Sequence, residues 1–382
     1  MGYKGEKASV NQYKSLYDYV KSNVFDTLSI AFTANKKHSL EGLTKQLPFV
    51  YVSKLDENND VPLVSFDGGI GTLFQNELAE TKLIKVAGAA PPKWKSHFEN
   101  YLTDAYFHVM SGLLKWPKGA DLDEEEIIIK TIDESLLNPM MTEFLDHLGI
   151  DHTEFKQEMI GHLKYKAGNQ VEDCFREILE WMLIINFTVR QKNNKNLNFK
   201  QTLPYLIVKD GSLYPYAKTV SSIISKGIEN FLDNEQIFIV GMVKSSRFVS
   251  DEGIFKKTIE QYMKNMNKNT FFKLPKDLEK KIDSKDVKYE RIFYSIFGGK
   301  SVYEIQISES HILKDPKILT QTLDVLNSEV TFGYGGSIST NSFAHIEASL
   351  SEHEVKYLTK TLRYEIYESL KEKKSDDGES NE

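Results

Sequence analysis

Val64–Gly69 reads VSFDGG, and Ile207–Ser212 reads IVKDGS. Each is a short apolar run that stops at Asp-Gly. A run of this kind, closed by turn residues, reads as a buried strand. A side chain at the end of a buried strand projects into the crevice beyond the sheet, where ligands bind. Glycine straight after the acid permits a sharp turn and a close backbone approach. The two runs therefore place Asp67 and Asp210 at the ends of two strands of an α/β sheet. Unpaired carboxylates on neighbouring strands repel each other and lose hydration. A divalent cation between them resolves the conflict, because Mg²⁺ and Mn²⁺ take carboxylate oxygen and keep waters for chemistry. That wiring suits metal-assisted phosphodiester cleavage. Asp-Gly is also an ordinary turn, and either instance alone reads that way. The pair, each behind a buried-looking strand, is what points to a site.

The flanking sequence supplies the rest of an α/β chain. FVYVSKL and VPLVSF read as a hairpin across DENND, and GGIGTLF after Asp67 reads as a turn feeding another strand. Residues 93–165 are helical in pattern and read as an inserted helical subdomain. Residues 169–188 give the strongest helix, with Phe175, Ile178, Leu179, Met182 and Ile185 on one stripe. PYLIVKD and QIFIVGMVK read as strands flanking a helix around Ser221–Leu232, and 252–282 as a basic helical stretch. YERIFYSIF and SVYEIQISE read as antiparallel strands across Gly298-Gly299. The expected division is an N-terminal helical segment at 1–40 and a core at 41–350 with the 93–165 insertion. A C-terminal helix at 351–372 and a disordered tail at 373–382 complete it.

Composition narrows the function classes. The chain has 382 residues, 40% hydrophobic and 27% charged, an ordinary globular balance. Its single cysteine, Cys174, excludes an internal disulfide framework and a Cys-based zinc site, and suits a reducing cytosol. The N-terminus has no apolar signal region and no stretch is long enough to span a bilayer, so a cytoplasmic protein without membrane contact is expected. The net charge of −7 weighs against broad nucleic-acid binding. Its distribution still allows a local positive groove, since Arg190–Lys200 carries four cations and no acid. There is no P-loop and no His-Glu-x-x-His, and the glycine clusters Gly68–Gly71 and Gly333–Gly336 fit no dinucleotide fingerprint. Cys174 reads as a packed helix residue, and His147, His152 and His162 as solvated or capping groups.

SFDGG, LIVKDGSLYP, FIVGMVKSSR and FGYGG…FAHIEA occur in that order, and the order resembles the NurA nuclease family. The resemblance covers roughly residues 55–350, and its most specific part is IVKDGSLYP followed by VGMVKSSR. It implies an RNase H-like α/β core with added helices, a homodimer, and manganese (or magnesium) held by acids. It implies a deoxyribonuclease, both 5′-to-3′ exonuclease and single-strand endonuclease, working with a HerA-type hexameric ATPase in DNA end resection, DNA repair or anti-phage defence. Residue by residue, Asp67 and Asp210 match the metal-binding aspartates, and a helix glutamate is expected between them. The helix offers Glu177 and Glu180, and the setting ILEWM favours Glu180. Lys244 matches the lysine after VGMV and would meet the scissile phosphate, with Arg247 on the DNA backbone. His345 matches the C-terminal histidine, as metal ligand or proton shuttle, and Tyr334 the tyrosine before it. The segment GYGGSISTNS departs from the family, which carries prolines and a shorter spacing there. Other readings of the same acids are an RNase H-like nuclease acting on RNA or hybrids, and a non-catalytic subunit of a hexameric ATPase.

Overall fold

The computed structural model describes residues 49–51, 61–75, 79–112, 124–164, 166, 168–192, 203–215, 219–235, 237–243, 249–250, 253–254, 270–273, 289–296, 301–308, 316–329 and 339–376. The helix expected at 7–24 and most of the stretch 252–282 lie outside these residues, as do Lys244, Arg247 and Tyr334. The strands are β1 (Phe49–Tyr51), β2 (Leu63–Gln75), β3 (Ala79–Ala89), β4 (Asp104–Gly112), β5 (Leu206–Asp210), β6 (Ile239–Val243), β7 (Val249–Ser250), β8 (Gly253–Ile254), β9 (Thr270–Lys273), β10 (Tyr289–Ile296) and β11 (Ser301–Ser308). The helices are α1 (Pro92–Phe98), α2 (Glu124–Leu136), α3 (Pro139–Leu148), α4 (His152–Leu163), α5 (Gly168–Gln191), α6 (Ser222–Asn234), α7 (Pro316–Ser328), α8 (Ser339–Ala348) and α9 (Glu352–Asp376).

Among the described residues, nine strands form one mixed sheet in the order β1-β9-β10-β11-β6-β5-β2-β3-β4. Strands β2, β3 and β4 are an antiparallel meander, and β5 and β6 continue the sheet parallel to β2. A three-strand meander whose first strand is followed sideways by two parallel strands is the RNase H-like arrangement. Each parallel connection carries helices, as parallel pairing requires: α2 to α5 between β4 and β5, and α6 between β5 and β6. Strands β11, β10, β9 and β1 extend the sheet antiparallel beyond β6.

Helix α5 holds one face. Its stripe Phe175, Ile178, Leu179, Met182 and Ile185 is buried. Phe187 meets Phe66 of β2 and Phe98 of α1, each at 5.4 Å between ring centres, and Phe175 stacks on Phe107 of β4 at 5.5 Å. Burying such rings supplies a large share of the apolar driving force. Cys174 is fully buried there, and burial pushes its thiol up to about 12, so it is inert at neutral pH.

Several elements differ from the sequence expectation. FVYVSKL makes no hairpin with VPLVSF, because β1 pairs with β9 at the far edge of the sheet. The 93–165 region is not wholly helical. It contains β4, where Ala105, Phe107 and Val109 are buried and alternate with Asp104, Tyr106 and His108 facing outward, a period-2 strand signature. Among the described residues of this region the helices are α1, α2, α3 and α4. Within 252–282, Thr270–Lys273 is a strand, fixed by Phe271 stacking on Tyr294 at 4.1 Å. The last helix runs on to Asp376.

The most consequential difference concerns Gly68 and Gly69. They make no turn, and β2 passes straight through them to Gln75. The glycines are there for close approach. A Cβ on Gly68 would stand 2.7 Å from Arg176 Cγ, and one on Gly69 2.3 Å from the backbone carbonyl oxygen of Ala348. Gly69→Ala is therefore expected to push the end of α8 off β2, costing roughly 1–3 kcal/mol. A thermal melt checks this, and an unchanged midpoint would show that α8 is not seated on Gly69.

Candidate active site

Strand β5 ends early. Its pairing with β2 runs Leu63↔Leu206 to Phe66↔Lys209, so Asp67 and Asp210 follow side by side on adjacent parallel strands. Beyond this point β2 continues without β5 beside it, and the notch so formed is the switch between the antiparallel and parallel halves of the sheet. Asp67 is buried and accepts a hydrogen bond from the Gly68 amide at 2.8 Å. Gly211, with φ of 99°, turns the chain away after Asp210 in a conformation that suits glycine. The turn is braced from behind. Its Gly211 amide donates to Met242 O at 2.9 Å, and the Gln306 side-chain carbonyl accepts from Leu213 N at 2.8 Å and Ser212 Oγ at 2.9 Å. Gln306 in turn donates to Glu304 at 2.7 Å, and Glu304 accepts from Arg291 Nε at 2.8 Å.

Alternation along β2 divides the site between two faces of the sheet. Phe66 points to α5, so Asp67 points the other way, towards α8. There His345 Nδ1 lies 2.9 Å from Asp67 Oδ2. The His345 side chain is 66% exposed, open enough to meet a ligand. One turn earlier, Asn341 Oδ1 lies 2.6 Å from the Ser65 hydroxyl, which ties α8 to β2.

The α5 face carries the glutamates. Glu180 is almost fully buried, and its Oε1 would stand 3.0 Å from a Cβ on Gly68, against the backbone beside Asp67. Arg176 Nη1 donates to that oxygen at 3.1 Å. Lys209 lies on the same face, 1% exposed, with Nζ 3.0 Å from Glu177 Oε1 and 3.4 Å from Glu180 Oε2. Trp181 Nε1 donates to Glu177 Oε1 at 3.1 Å. Burial pushes the Glu180 carboxyl well above the usual carboxylate range, with Lys209 and Arg176 pulling it back and Glu177 and Asp67 adding to the rise. Burial pulls the Lys209 ammonium down, but Glu177 and Glu180 outweigh it and hold the group charged.

Asp67 and His345 meet on the α8 side of β2 with Asp210 at the matching position of β5, whereas Glu180, the helix glutamate that lies against β2, stands on the opposite face. Lys244 and Arg247 lie outside the described residues, so the phosphate-binding cations assigned to them have no geometry here. Sequence reasoning missed Lys209 and Arg176. The signal for Lys209 was present in LIVKD, a lysine inside a strand that is otherwise apolar and inner to the sheet.

The donor types suit a hard divalent ion: carboxylate oxygens and one imidazole nitrogen. Glu180 Oε2 is buried with no hydrogen bond, and its cationic neighbour is the Lys209 ammonium at 3.4 Å. Among the described residues, however, no three His, Cys, Asp or Glu side chains stand together as a metal-holding group. The faces of β2 separate Glu180 from His345, and Glu180 is engaged by Lys209 and Arg176.

No protein-family model matches the chain, and no curated protein does. Among solved structures it is similar to the NurA nuclease from Sulfolobus solfataricus, at 10% identity and a TM-score of 0.44, over 93% of this chain and 98% of that one. It is similar to NurA bound to dAMP and manganese, at 10% identity and a TM-score of 0.40, over 89% of this chain and 95% of that one. A third is Ciona intestinalis Endonuclease V in complex with inosine-containing DNA, at 11% identity and a TM-score of 0.31, over 78% and 90%. At 10–11% identity and TM-scores of 0.31–0.44, none of these assigns the chain a family or an activity. No helix of the described residues is long and apolar enough to cross a membrane.

Proposed function

We propose that this chain is a divalent-metal-dependent nuclease acting on DNA ends and single strands. The observation that carries the reading is the pair Asp67 and Asp210, side by side at the end of β5 in a sheet of RNase H-like order. We assign Mn²⁺ or Mg²⁺ to Asp67, Asp210 and His345 on the α8 side of β2; Glu180 would join them only by leaving Lys209 and Arg176 on the opposite face. When bound, such an ion stabilises charge on phosphate oxygens and acidifies water. Asp67 and Asp210, at matching positions of β2 and β5, would bring negative charge to the notch. His345 Nδ1 holds the Asp67 carboxylate in one orientation, which leaves Nε2 of the exposed ring to meet a ligand or move a proton. Lys209 and Arg176 hold Glu180 in place and offset its charge. The apolar rows of β2 and β5 beside the acids limit water and strengthen these interactions.

The reading extends to the finer expectations of the family resemblance. These are 5′-to-3′ exonuclease and single-strand endonuclease action, a homodimer, a HerA-type ATPase as partner, and a role in end resection or phage defence. Lys244 and Arg247 are assigned to the scissile phosphate and the DNA backbone. A second reading, a non-catalytic subunit of such an ATPase, is favoured by one observation: Glu180 already has two cationic partners. The deciding experiment is cleavage of end-labelled linear and single-stranded DNA with Mn²⁺, with Mg²⁺ and with EDTA, each with and without the ATPase. Metal-dependent cutting is expected. No cutting under any condition by a folded protein that still binds the ATPase would leave the second reading.

A further inference from the structure

A second feature lies along the same strand. Past the notch, β2 runs on for eight residues with β3 on one side, and α9 packs across it. Thr359 Oγ1 donates to Leu73 O at 2.8 Å, and Gly71 is pressed by Leu350 and Val355. Between α9 and the end of β2 is an open groove with a cavity volume of ≈ 670 Å³. Three cations line it from α9: Lys356, Lys360 and Arg363. Their spacing of four and three residues puts them on one helix face, a row about 10 Å long. Phe74, 36% exposed, lines the same groove from β2.

Charge selects the occupant. The lining holds three cations against one acid, Glu352, and that acid already pairs with Lys356 at 2.5 Å. Glu80, behind Thr72, is paired with Lys82 at 3.3 Å. Lys360 and Arg363 have no ion-pair partner among the described residues. A row of exposed cations with an aromatic ring beside it is the combination that holds a single nucleic-acid strand, phosphates on the cations and a base on the ring. A second copy of this chain would need acids facing that row. An acidic peptide would leave Phe74 without a role.

We propose that the groove between β2 and α9 binds single-stranded nucleic acid and leads it along β2 to or from the notch at Asp67. From Asp67 to Phe74 is seven residues of strand, roughly 23 Å. The proposal rests on the nuclease reading for its purpose, but not for its test.

The test is fluorescence anisotropy with a labelled oligo(dT) strand in EDTA, so that no cleavage is needed. Wild type is compared with the triple variant Lys356→Ala, Lys360→Ala, Arg363→Ala and with Phe74→Ala. The triple variant is expected to bind roughly tenfold or more weakly, and its slope of log affinity against log salt to fall by about 2, near 0.7 per lost cation. Phe74→Ala is expected to weaken binding with the slope unchanged. All three cationic positions are exposed, so the variant is expected to melt with wild type. Unchanged affinity and slope in the triple variant would overturn the proposal. So would displacement of the strand by polyglutamate at equal charge, or an effect traced by sedimentation to altered oligomeric state. Cleavage is scored separately: a wild type that binds through this groove but never cuts removes the nuclease reading and leaves the groove standing.

Discussion

Asp67→Asn is expected to abolish metal-dependent cleavage while leaving the fold intact. Asparagine keeps the shape of the side chain and an oxygen to accept from the Gly68 amide, which stands 2.8 Å from the carboxylate. It removes one negative charge from a place where Asp67 and Glu180 repel each other. Stability should therefore hold or rise slightly, as happens when crowded like charges are relieved. Activity should fall by at least roughly a thousandfold, since the site loses the charge that would fix the ion and, with it, stabilisation of the transition state. Asp210→Asn is expected to behave the same way, because it occupies the matching position on β5. His345→Ala should cost less, on the order of ten- to a hundredfold, the size of an orienting or proton-moving contribution. The measurements are cleavage rates in Mn²⁺, Mn²⁺ binding by calorimetry, and melting curves for each variant. Cutting at the wild-type rate by folded Asp67→Asn would remove the acid pair from the mechanism.

The strands LIVKD and IFIVGMV and the helix around Trp181 were legible because each is a local pattern: inner parallel strands read as apolar runs, and α5 shows a regular stripe. The acids were legible because carboxylates next to glycine stand out at the end of such runs. What was not legible depends on distant contacts. Gly68 and Gly69 read as a turn, yet they are strand residues thinned for Arg176 and for the end of α8, which lies some 280 residues further along the chain. Strand β1 could not reveal its partner β9, since pairing across so long a separation leaves no mark in three residues. Lys209 was visible as a letter but not as a site, because its partners Glu177 and Glu180 sit on another element. For the same reason the split of the candidate ligands between two faces of β2 appeared only with the fold.

Lys209→Met is expected to produce the largest loss of stability of any single change near the notch. The lysine is 1% exposed and its ammonium lies between Glu177 and Glu180, with Asp210 O as a further acceptor at 3.4 Å. Methionine fills similar space but leaves two carboxylates with Arg176 as their remaining cation. Breaking a buried pair from one side costs about 3–5 kcal/mol, because the other charge is left uncompensated. The melting midpoint should fall by on the order of 10 °C. Arginine is not a conservative replacement, since its larger planar fork would have to take the place of a fully buried ammonium set between Glu177 and Glu180. The decisive arm is the double variant Lys209→Met with Glu180→Gln. If the loss comes from the stranded carboxylate, neutralising it should restore a large part of the midpoint, a coupling that independent sites do not show. Additive losses both here and in Lys209→Met with Glu177→Gln, which neutralises the closer partner at 3.0 Å, would instead mean that Lys209 supports the strand by packing alone. Recovery would define Lys209 as the residue that offsets charge on Glu180 and aims the side chain at β2, and so as the positioning group for the α5 half of the site.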